Sequence, residues 1–351
     1  MESTLDRPER LEALDKGGML KVLSRFPESC REAIEAAERL NLDFLPRRDL
    51  KAVAVVGVGG SAIGGHLIHD WLLDSCPIPV HVSRGYHLPR FIDDGTLVFA
   101  ISYSGNTEET LSGFREALER GCPVIALTLG GEMQRRSAEK SVPLLGLPGG
   151  MQPRAALPNQ LFSLATILMR MGLASEPWGE VGEAMEALGD LRGDLVPETP
   201  TASNPAKRLA LGLRGFVPFV YGPRLFGAVA YRIRTQLNEN SKVPAGSGFF
   251  PEAFHNAVMG CEGPEEIRRC ICALVIRDPE GPLEMERKMD GFKRLLESSG
   301  IRVLEIRARG RGKLARMLSA LYVGDYAATY LGLLYGHDPS STDSIAALKR
   351  F

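Results

Sequence analysis

The sequence predicts an α/β protein with two doubly wound domains, each a parallel sheet flanked by helices. Strand-like apolar runs alternate with helix-like segments between residues 51 and 128, and short Gly-rich turns join them. This alternation is typical of doubly wound α/β domains. The same pattern restarts at residue 216, so we also predict an internal duplication.

The predicted organisation is an N-terminal helical arm followed by two domains. We place the arm at residues 1–45, the first domain at 46–195 and the second at 196–351. A chain of 351 residues is long enough to bury two cores. The Pro- and Thr-rich segment 197–205 has the most linker-like composition, next to the second boundary.

The apolar patterns predict individual strands and helices. The strands are expected at 51–57, 79–83, 97–102, 123–128, 216–222, 271–276 and 303–306. The helices are expected at 8–19, 29–42, 108–120, 159–171, 174–195, 282–298, 314–334 and 343–351.

Composition excludes several classes of protein. The net charge of -1 gives no electrostatic basis for binding nucleic acid or an anionic membrane. No apolar run reaches the roughly 18 residues of a membrane span, and the polar N-terminus does not resemble a signal peptide. The six cysteines form neither a CxxC pair nor a zinc spacing. We therefore expect a reduced, cytoplasmic enzyme without a bound metal.

One stretch, residues 96–111, joins a buried strand to a helix through small and hydroxyl residues. The amides at a helix N-terminus favour an anion, and the hydroxyls of Ser102, Ser104 and Thr107 add donors. Gly105 allows close backbone approach. The alternative is an ordinary turn in which Thr107 caps the helix. The stretch alone favours neither interpretation.

A second Gly-rich loop, residues 57–65, follows the first predicted strand. It lacks the glycine spacing of a dinucleotide-binding loop, and no acidic residue stands at 80–84 to hold a ribose. We expect no nucleotide cofactor. Because ligands of such folds bind at the carboxyl ends of strands, Gly60 and Ser61 should converge with the hydroxyl-rich loop.

Four ordered motifs resemble the SIS-domain sugar isomerases, and more narrowly the bifunctional phosphoglucose/phosphomannose isomerases. They are GGSAIG at 59–64, SYSGNTEET at 102–110, PRAALP at 153–158 and LNENSK at 237–242. The resemblance covers roughly residues 50 to 350. It implies two SIS-type domains, a phosphorylated hexose as substrate, and neither cofactor nor metal.

The resemblance also implies the residues of the site. It assigns the sugar phosphate to Gly60, Ser61, Ser102, Ser104 and Thr107. It makes Glu239 the base, and Arg154 the group that stabilises the enediolate. His255 and Lys349 would open the sugar ring, with His255 reaching the site from the partner subunit of a homodimer.

Two other functions use the same motifs. One is a sugar-phosphate-binding regulator without turnover, and the other is a SIS isomerase for a different sugar phosphate. Glu239 followed by His255 argues against a pure binding protein, since binding needs neither a base nor an acid.

Overall fold

The computed structural model describes residues 4–43, 45, 50–174 and 177–348. The chain divides into two compact units. The first unit is Arg25–Pro177, and the second combines Met1–Ser24 with Trp178–Phe351. These compact units end at other residues than the predicted domains, whose boundaries follow residues 45 and 195. The predicted domain organisation stays a prediction.

The described part of the chain alternates strands with helices. The helices are α1 Pro8–Leu14, α2 Met19–Ser24, α3 Phe26–Glu38, α4 Ile63–Leu72, α5 Glu108–Glu119, α6 Gly131–Glu139, α7 Leu157–Arg170, α8 Pro177–Leu195, α9 Pro205–Leu213, α10 Gly227–Glu239, α11 Glu265–Arg268, α12 Leu283–Ser298, α13 Lys313–Leu334 and α14 Asp343–Leu348. The strands are β1 Ala52–Val56, β2 Val80–Ser83, β3 Thr96–Ile101, β4 Val124–Thr128, β5 Leu144–Gly146, β6 Val217–Pro223, β7 Gly246–Phe250, β8 Ile271–Arg277 and β9 Arg302–Arg307.

The first unit has a five-stranded sheet in the order β2-β1-β3-β4-β5, and every pairing is parallel. Strands β1, β3 and β4 are buried along their whole length, as their continuous apolar runs predict. Strand β5 was not predicted, because three residues are too few to form a recognisable apolar run.

Helices cover both faces of this sheet. On one face, Phe114 of α5 and Met133 of α6 pack with Val98 and Ala100 of β3 in one apolar cluster. On the other face α4 lies so close to β1 that a Cβ on Gly65 would be 2.8 Å from Val55. The first unit is therefore doubly wound, as predicted.

The second unit has a four-stranded parallel sheet in the order β7-β6-β8-β9. Helix α12 packs on the face that carries Ala273 and Val275. Helix α9 packs on the opposite face, where a Cβ on Gly212 would be 2.8 Å from Leu304. The prediction of two α/β domains with parallel sheets flanked by helices is confirmed.

Strand β7 lies at the edge of this sheet and was not predicted. Its sequence, GSGFF, reads as a turn because glycine disfavours strands. Two large rings on β6 explain the glycines. A Cβ on Gly246 would lie 2.5 Å from the ring of Phe219, and one on Gly248 would lie 2.9 Å from the ring of Tyr221. Only glycine leaves room for these aromatic side chains.

The two sheets share one strand order. In each unit the second strand pairs with one edge of the first strand, and the third and fourth strands follow at the opposite edge of the first. In both units a glycine at the end of the first strand, or directly after it, is closely approached by the residue four positions later. A Cβ on Gly57 would lie 2.9 Å from the Ser61 carbonyl oxygen, and one on Gly222 would lie 2.8 Å from Cβ of Phe226. Both observations support the predicted duplication.

An ion pair inside the second unit joins α10 to α13. The Arg232 guanidinium donates to both carboxylate oxygens of Asp325, over 3.1 and 2.8 Å. Both side chains are almost completely buried. This pair fixes the helix that ends at Glu239. None of the described helices is both long enough and apolar enough to cross a membrane.

Candidate active site

The hydroxyl-rich loop after β3 is held by hydrogen bonds among its own residues. Ser102 is fully buried, and its hydroxyl donates to Oγ1 of Thr107 over 3.0 Å. The amide of Gly105 donates to the Ser102 hydroxyl over 3.1 Å, and the amide of Asn106 donates to that of Ser104 over 3.2 Å. Ser104 is exposed at the surface of the loop.

Thr107 is the N-cap residue of α5, but its side chain makes no capping hydrogen bond. Its Oγ1 is instead the acceptor for Ser102. Thr107 therefore occupies the N-cap position of the capped-turn interpretation, but its side chain does not cap the helix. The first amides of α5 are not capped by this hydroxyl and remain suited to an anion.

Neighbouring residues lock this loop to the start of α6. Gly105 has a φ of +72°, and a Cβ there would lie 1.8 Å from the carbonyl oxygen of Gly130. The Asn106 side-chain oxygen accepts from the amide of Glu132 over 3.0 Å. Asn106 thus has a structural task that the sequence motif did not reveal, because its partner lies 26 residues away.

The Gly-rich loop after β1 meets two other motifs. The amide of Tyr103 donates to the buried hydroxyl of Ser61 over 3.4 Å. A Cβ on Gly60 would lie 2.8 Å from both Cα and the amide nitrogen of Arg154. The structure therefore brings together three segments that are far apart in sequence, namely the loops at 60–61, 102–107 and 153–156.

Arg154 lies on a short 3-10 helix, Pro153–Ala156, that leads into α7. Only 2% of the residue is exposed. Its backbone lies against Gly60, so this permanently charged residue belongs to the same region as the loops that carry the hydroxyl groups. The first unit thus combines hydroxyls, a helix N-terminus and a buried cation in one region.

Glu239 lies in the second unit, where it is half-buried at the last residue of α10. It lines a pocket of about 560 Å³. The other lining residues come from the end of α10, from the segment after it and from the chain before and within α14: Asn238, Lys242, His337, Ser341, Thr342, Asp343, Ser344 and Ile345. The predicted base therefore lines a pocket whose residues are mostly of polar types.

The other two predicted catalytic residues are not brought to this pocket by the described part of the chain. His255 follows the 3-10 helix Glu252–Phe254, is exposed, and does not appear among the lining residues. Lys349 lies outside the described residues. Their roles stay predictions.

Sequence reasoning missed His337, which lines the Glu239 pocket. The signal was a histidine directly after Gly336, whose φ of +79° marks the turn that follows the long apolar helix α13. Nothing in the local sequence connects this turn to a glutamate almost 100 residues earlier.

Across the described residues there is no group of three or more His, Cys, Asp or Glu side chains placed to hold a metal ion. The six cysteines are free thiols. Burial raises the pKa of Cys122 to about 11 and that of Cys272 to about 12, so these thiols are protonated at neutral pH.

Comparison with protein families matches each half of the chain to a separate model. Residues 48–140 match the SIS domain. Residues 202–351 match the bacterial phospho-glucose isomerase C-terminal SIS domain. The first match contains the two loops that carry Ser61 and Ser102, and the second contains Glu239.

Relatives of known activity cover most of the chain. A bifunctional phosphoglucose/phosphomannose isomerase from Caldicellulosiruptor bescii is 37% identical over 332 residues, which cover 94% of this chain and 98% of that protein. A D-glucosamine-6-phosphate 4-epimerase from Sulfolobus acidocaldarius is 32% identical over 241 residues, which cover 68% and 72% of the two chains.

Among solved structures, a hypothetical protein from Thermus thermophilus has the same fold. The TM-score is 0.73 at 17% identity, and the match covers 97% of this chain and 92% of the other. At this identity the likeness concerns the fold alone.

Proposed function

The chain belongs to the family of bifunctional phosphoglucose/phosphomannose isomerases, and we propose that it interconverts glucose 6-phosphate and mannose 6-phosphate with fructose 6-phosphate. The family predicted from the four sequence motifs is thereby confirmed. Membership implies a phosphorylated sugar as substrate. The residue roles, the assembly and the cytoplasmic location given below are parts of the proposal.

The arrangement of Ser102 and Thr107 in front of α5 carries this proposal. The hydroxyl groups of this loop lie next to the N-terminus of α5, whose first amides are not capped by the Thr107 side chain. A phosphate dianion fits such a place because the helix dipole and the donors act on it together. We assign the sugar phosphate to Gly60, Ser61, Ser102, Ser104 and Thr107.

Glu239 is the proposed base. Its carboxylate removes the proton from C2 of the aldose, the C1–C2 bond becomes a double bond, and O1 takes up the negative charge. The proton is then returned to C1, while a proton moves from O2 to O1 and leaves a ketone at C2. Glucose and mannose 6-phosphates differ only at C2, so the planar cis-enediolate is common to both.

Arg154 is proposed to stabilise the enediolate oxygens, for which a buried, permanently charged guanidinium is suited. His255 and Lys349 are proposed to open the ring by moving protons on its oxygen atoms. We assign His255 to the site of a partner subunit in a homodimer. Three exposed apolar side chains near it in sequence support an interface there: Phe249, Met259 and Ile267.

Deuterium exchange tests the proposal. The protein is incubated with fructose 6-phosphate in deuterated water, and the aldose products are examined by NMR. We expect deuterium at C2 of both glucose and mannose 6-phosphates. Label in glucose 6-phosphate alone would remove the second activity and keep the first.

The alternatives give different outcomes. A protein that binds fructose 6-phosphate without any exchange would be a regulator, and the isomerase proposal would be wrong. Exchange only with another sugar phosphate would indicate a different SIS isomerase. Because one relative is named a 4-epimerase, glucosamine 6-phosphate is included, and its conversion at C4 would assign that activity instead.

A further inference from the structure

Lys242 stands out because its backbone is in the left-handed region, with a φ of +59°. Among the described residues only Ser141 shares this feature without being glycine. For a residue with a side chain this conformation costs about 1 kcal/mol or more, and glycine or asparagine normally takes such positions. A lysine here calls for a compensating interaction.

The side chain of Lys242 supplies that interaction. Its ammonium group donates to the carbonyl oxygen of Glu239, the last residue of α10. It also donates to the carbonyl oxygen of Ser341 over 2.6 Å, and Pro339 O lies 3.5 Å away. One cation thus joins two segments 99 residues apart.

Both joined segments line the Glu239 pocket. Glu239 belongs to the first, and Ser341 and Thr342 belong to the second, directly before α14. The residues before Lys242 hold the first segment in place. Asn240 and Ser241 are fully buried, and the Ser241 hydroxyl donates to the carbonyl oxygen of Ala328 over 2.6 Å. Lys242 is exposed, unlike these two residues. Among the hydrogen bonds described for residues 240–242, only those of Lys242 reach residues 339–341.

We propose that Lys242 is a positioning residue that sets the distance between the Glu239 carboxylate and the pocket wall formed by residues 341–345. This inference rests on the proposed role of Glu239 as the base. The lysine acts through backbone carbonyls and takes no part in proton transfer. Its loss should lower kcat and leave KM nearly unchanged, because the phosphate is assigned to the loops of the first unit.

Lys242→Gly is the decisive variant, since glycine keeps the left-handed backbone without strain and removes the side chain that carries the ammonium group. We expect a fall in kcat of at least tenfold, and on the order of 100-fold if the wall moves by about 1 Å. The melting temperature should stay close to that of the wild type. Lys242→Asn is the second variant if the glycine variant folds poorly, and Lys242→Arg should restore part of kcat.

Lys207 provides a matched control in the same unit. Its buried ammonium also donates to two backbone carbonyls, of Pro197 over 2.7 Å and of Thr199 over 2.8 Å. Lys207→Met should lower the melting temperature and leave kcat of the folded protein unchanged. If Lys242→Gly is folded and has wild-type kcat, the positioning role is wrong.

Hydrogen exchange separates this inference from the proposed function. The amides of residues 340–345 should exchange faster in Lys242→Gly than in the wild type, whether or not the wild type isomerises sugars. An inactive wild type with this difference would overturn the isomerase proposal and leave the link between the two segments. Unchanged exchange would overturn the link itself.

Discussion

The hydroxyl of Ser102 donates to Oγ1 of Thr107 over 3.0 Å, across the turn that joins β3 to α5. This bond engages the one side chain that stands in the capping position of the helix. Because the Thr107 hydroxyl bonds to Ser102 and does not cap the helix, the first amides of α5 are suited to a ligand. The relationship is the physical basis of the proposed phosphate anchor.

Removing two hydroxyls of the anchor should weaken substrate binding more than catalysis. In a Ser104→Ala, Thr107→Ala double variant, KM for fructose 6-phosphate should rise by about 10²- to 10⁴-fold, since each of the two lost hydrogen bonds to a charged group contributes about 1.5–3 kcal/mol. The change in kcat should be small, because the phosphate remains distant from the bonds that change. Steady-state kinetics measures both constants.

Thr110→Val is the matched control for that variant. Thr110 lies one turn further along α5, is buried, and its hydroxyl has no hydrogen-bond partner in the described part of the chain. Valine has nearly the same shape and removes only this hydroxyl, so KM should not change. A similar rise in KM for both variants would mean that the effect is a general disturbance of α5.

Glu239→Gln should abolish deuterium exchange while sugar-phosphate binding remains. The amide has the shape of the carboxylate but cannot accept the C2 proton, so kcat should fall by about 10²- to 10⁴-fold, the range usual for loss of an acid–base group. Isotope exchange and calorimetric binding measure the two properties. Glu297→Gln, an exposed change on α12, is the control. Persistent exchange in Glu239→Gln would remove Glu239 as the base.

The buried ion pair between α10 and α13 gives a stability prediction. Arg232→Met should lower the free energy of unfolding by about 3–5 kcal/mol, because it leaves the Asp325 carboxylate buried without its guanidinium. Arg232→Met with Asp325→Leu should be clearly less destabilised than Arg232→Met alone, since no charge remains buried. Urea denaturation measures both. A double variant as unstable as the single variant would contradict this account.

His66 on α4 should make the first unit sensitive to acid. Burial, and then the nearby charges of Arg84, His69 and His81, lower its pKa to about 4. The unfolded chain therefore takes up this proton first, at the ordinary histidine pKa of about 6.5, and stability falls as the pH drops from 6.5 to 4. One proton gives a slope of at most about 1.4 kcal/mol per pH unit.

Replacing the histidine tests this sign. His66→Gln cannot take up a proton, so its melting temperature should fall less than that of the wild type between pH 6.5 and pH 4. At pH 8 the histidine is neutral in both the folded and the unfolded chain, and this pH serves as the reference for each protein. If the melting temperatures of the variant and the wild type fall equally between pH 6.5 and pH 4, His66 does not titrate as described.

The parts of the fold that were predicted are those with a strong local pattern. Strands β1 and β3 are buried on both faces, so all their residues except Thr96 are apolar and the run is visible in the sequence. Helix α6 was not predicted, because only Met133 and Ser137 of its nine residues are buried and no apolar period appears. Strand β7 was missed because neighbouring rings require its glycines.

The candidate site likewise has a part that local sequence predicts and a part that it does not. The hydroxyls of 102–107 are neighbours in sequence, so their grouping at a strand-to-helix turn was predictable from the motif alone. The grouping of Glu239 with His337 and Ser341 depends on contacts between residues about 100 positions apart. Local sequence contains no signal for such contacts, and therefore the link through Lys242 became visible only in the structure.

Two halves with one strand order are what the duplication of an ancestral gene leaves behind. After such an event both copies would begin with the same loop after the first strand. One copy now has Ser61 at the fourth position after the glycine, and the other has the fully buried Phe226. A phenyl ring there replaces a hydroxyl by an apolar side chain, so the second copy lacks the hydroxyl to which we assign part of the phosphate. Under the proposed function, the second copy supplies the base Glu239 instead.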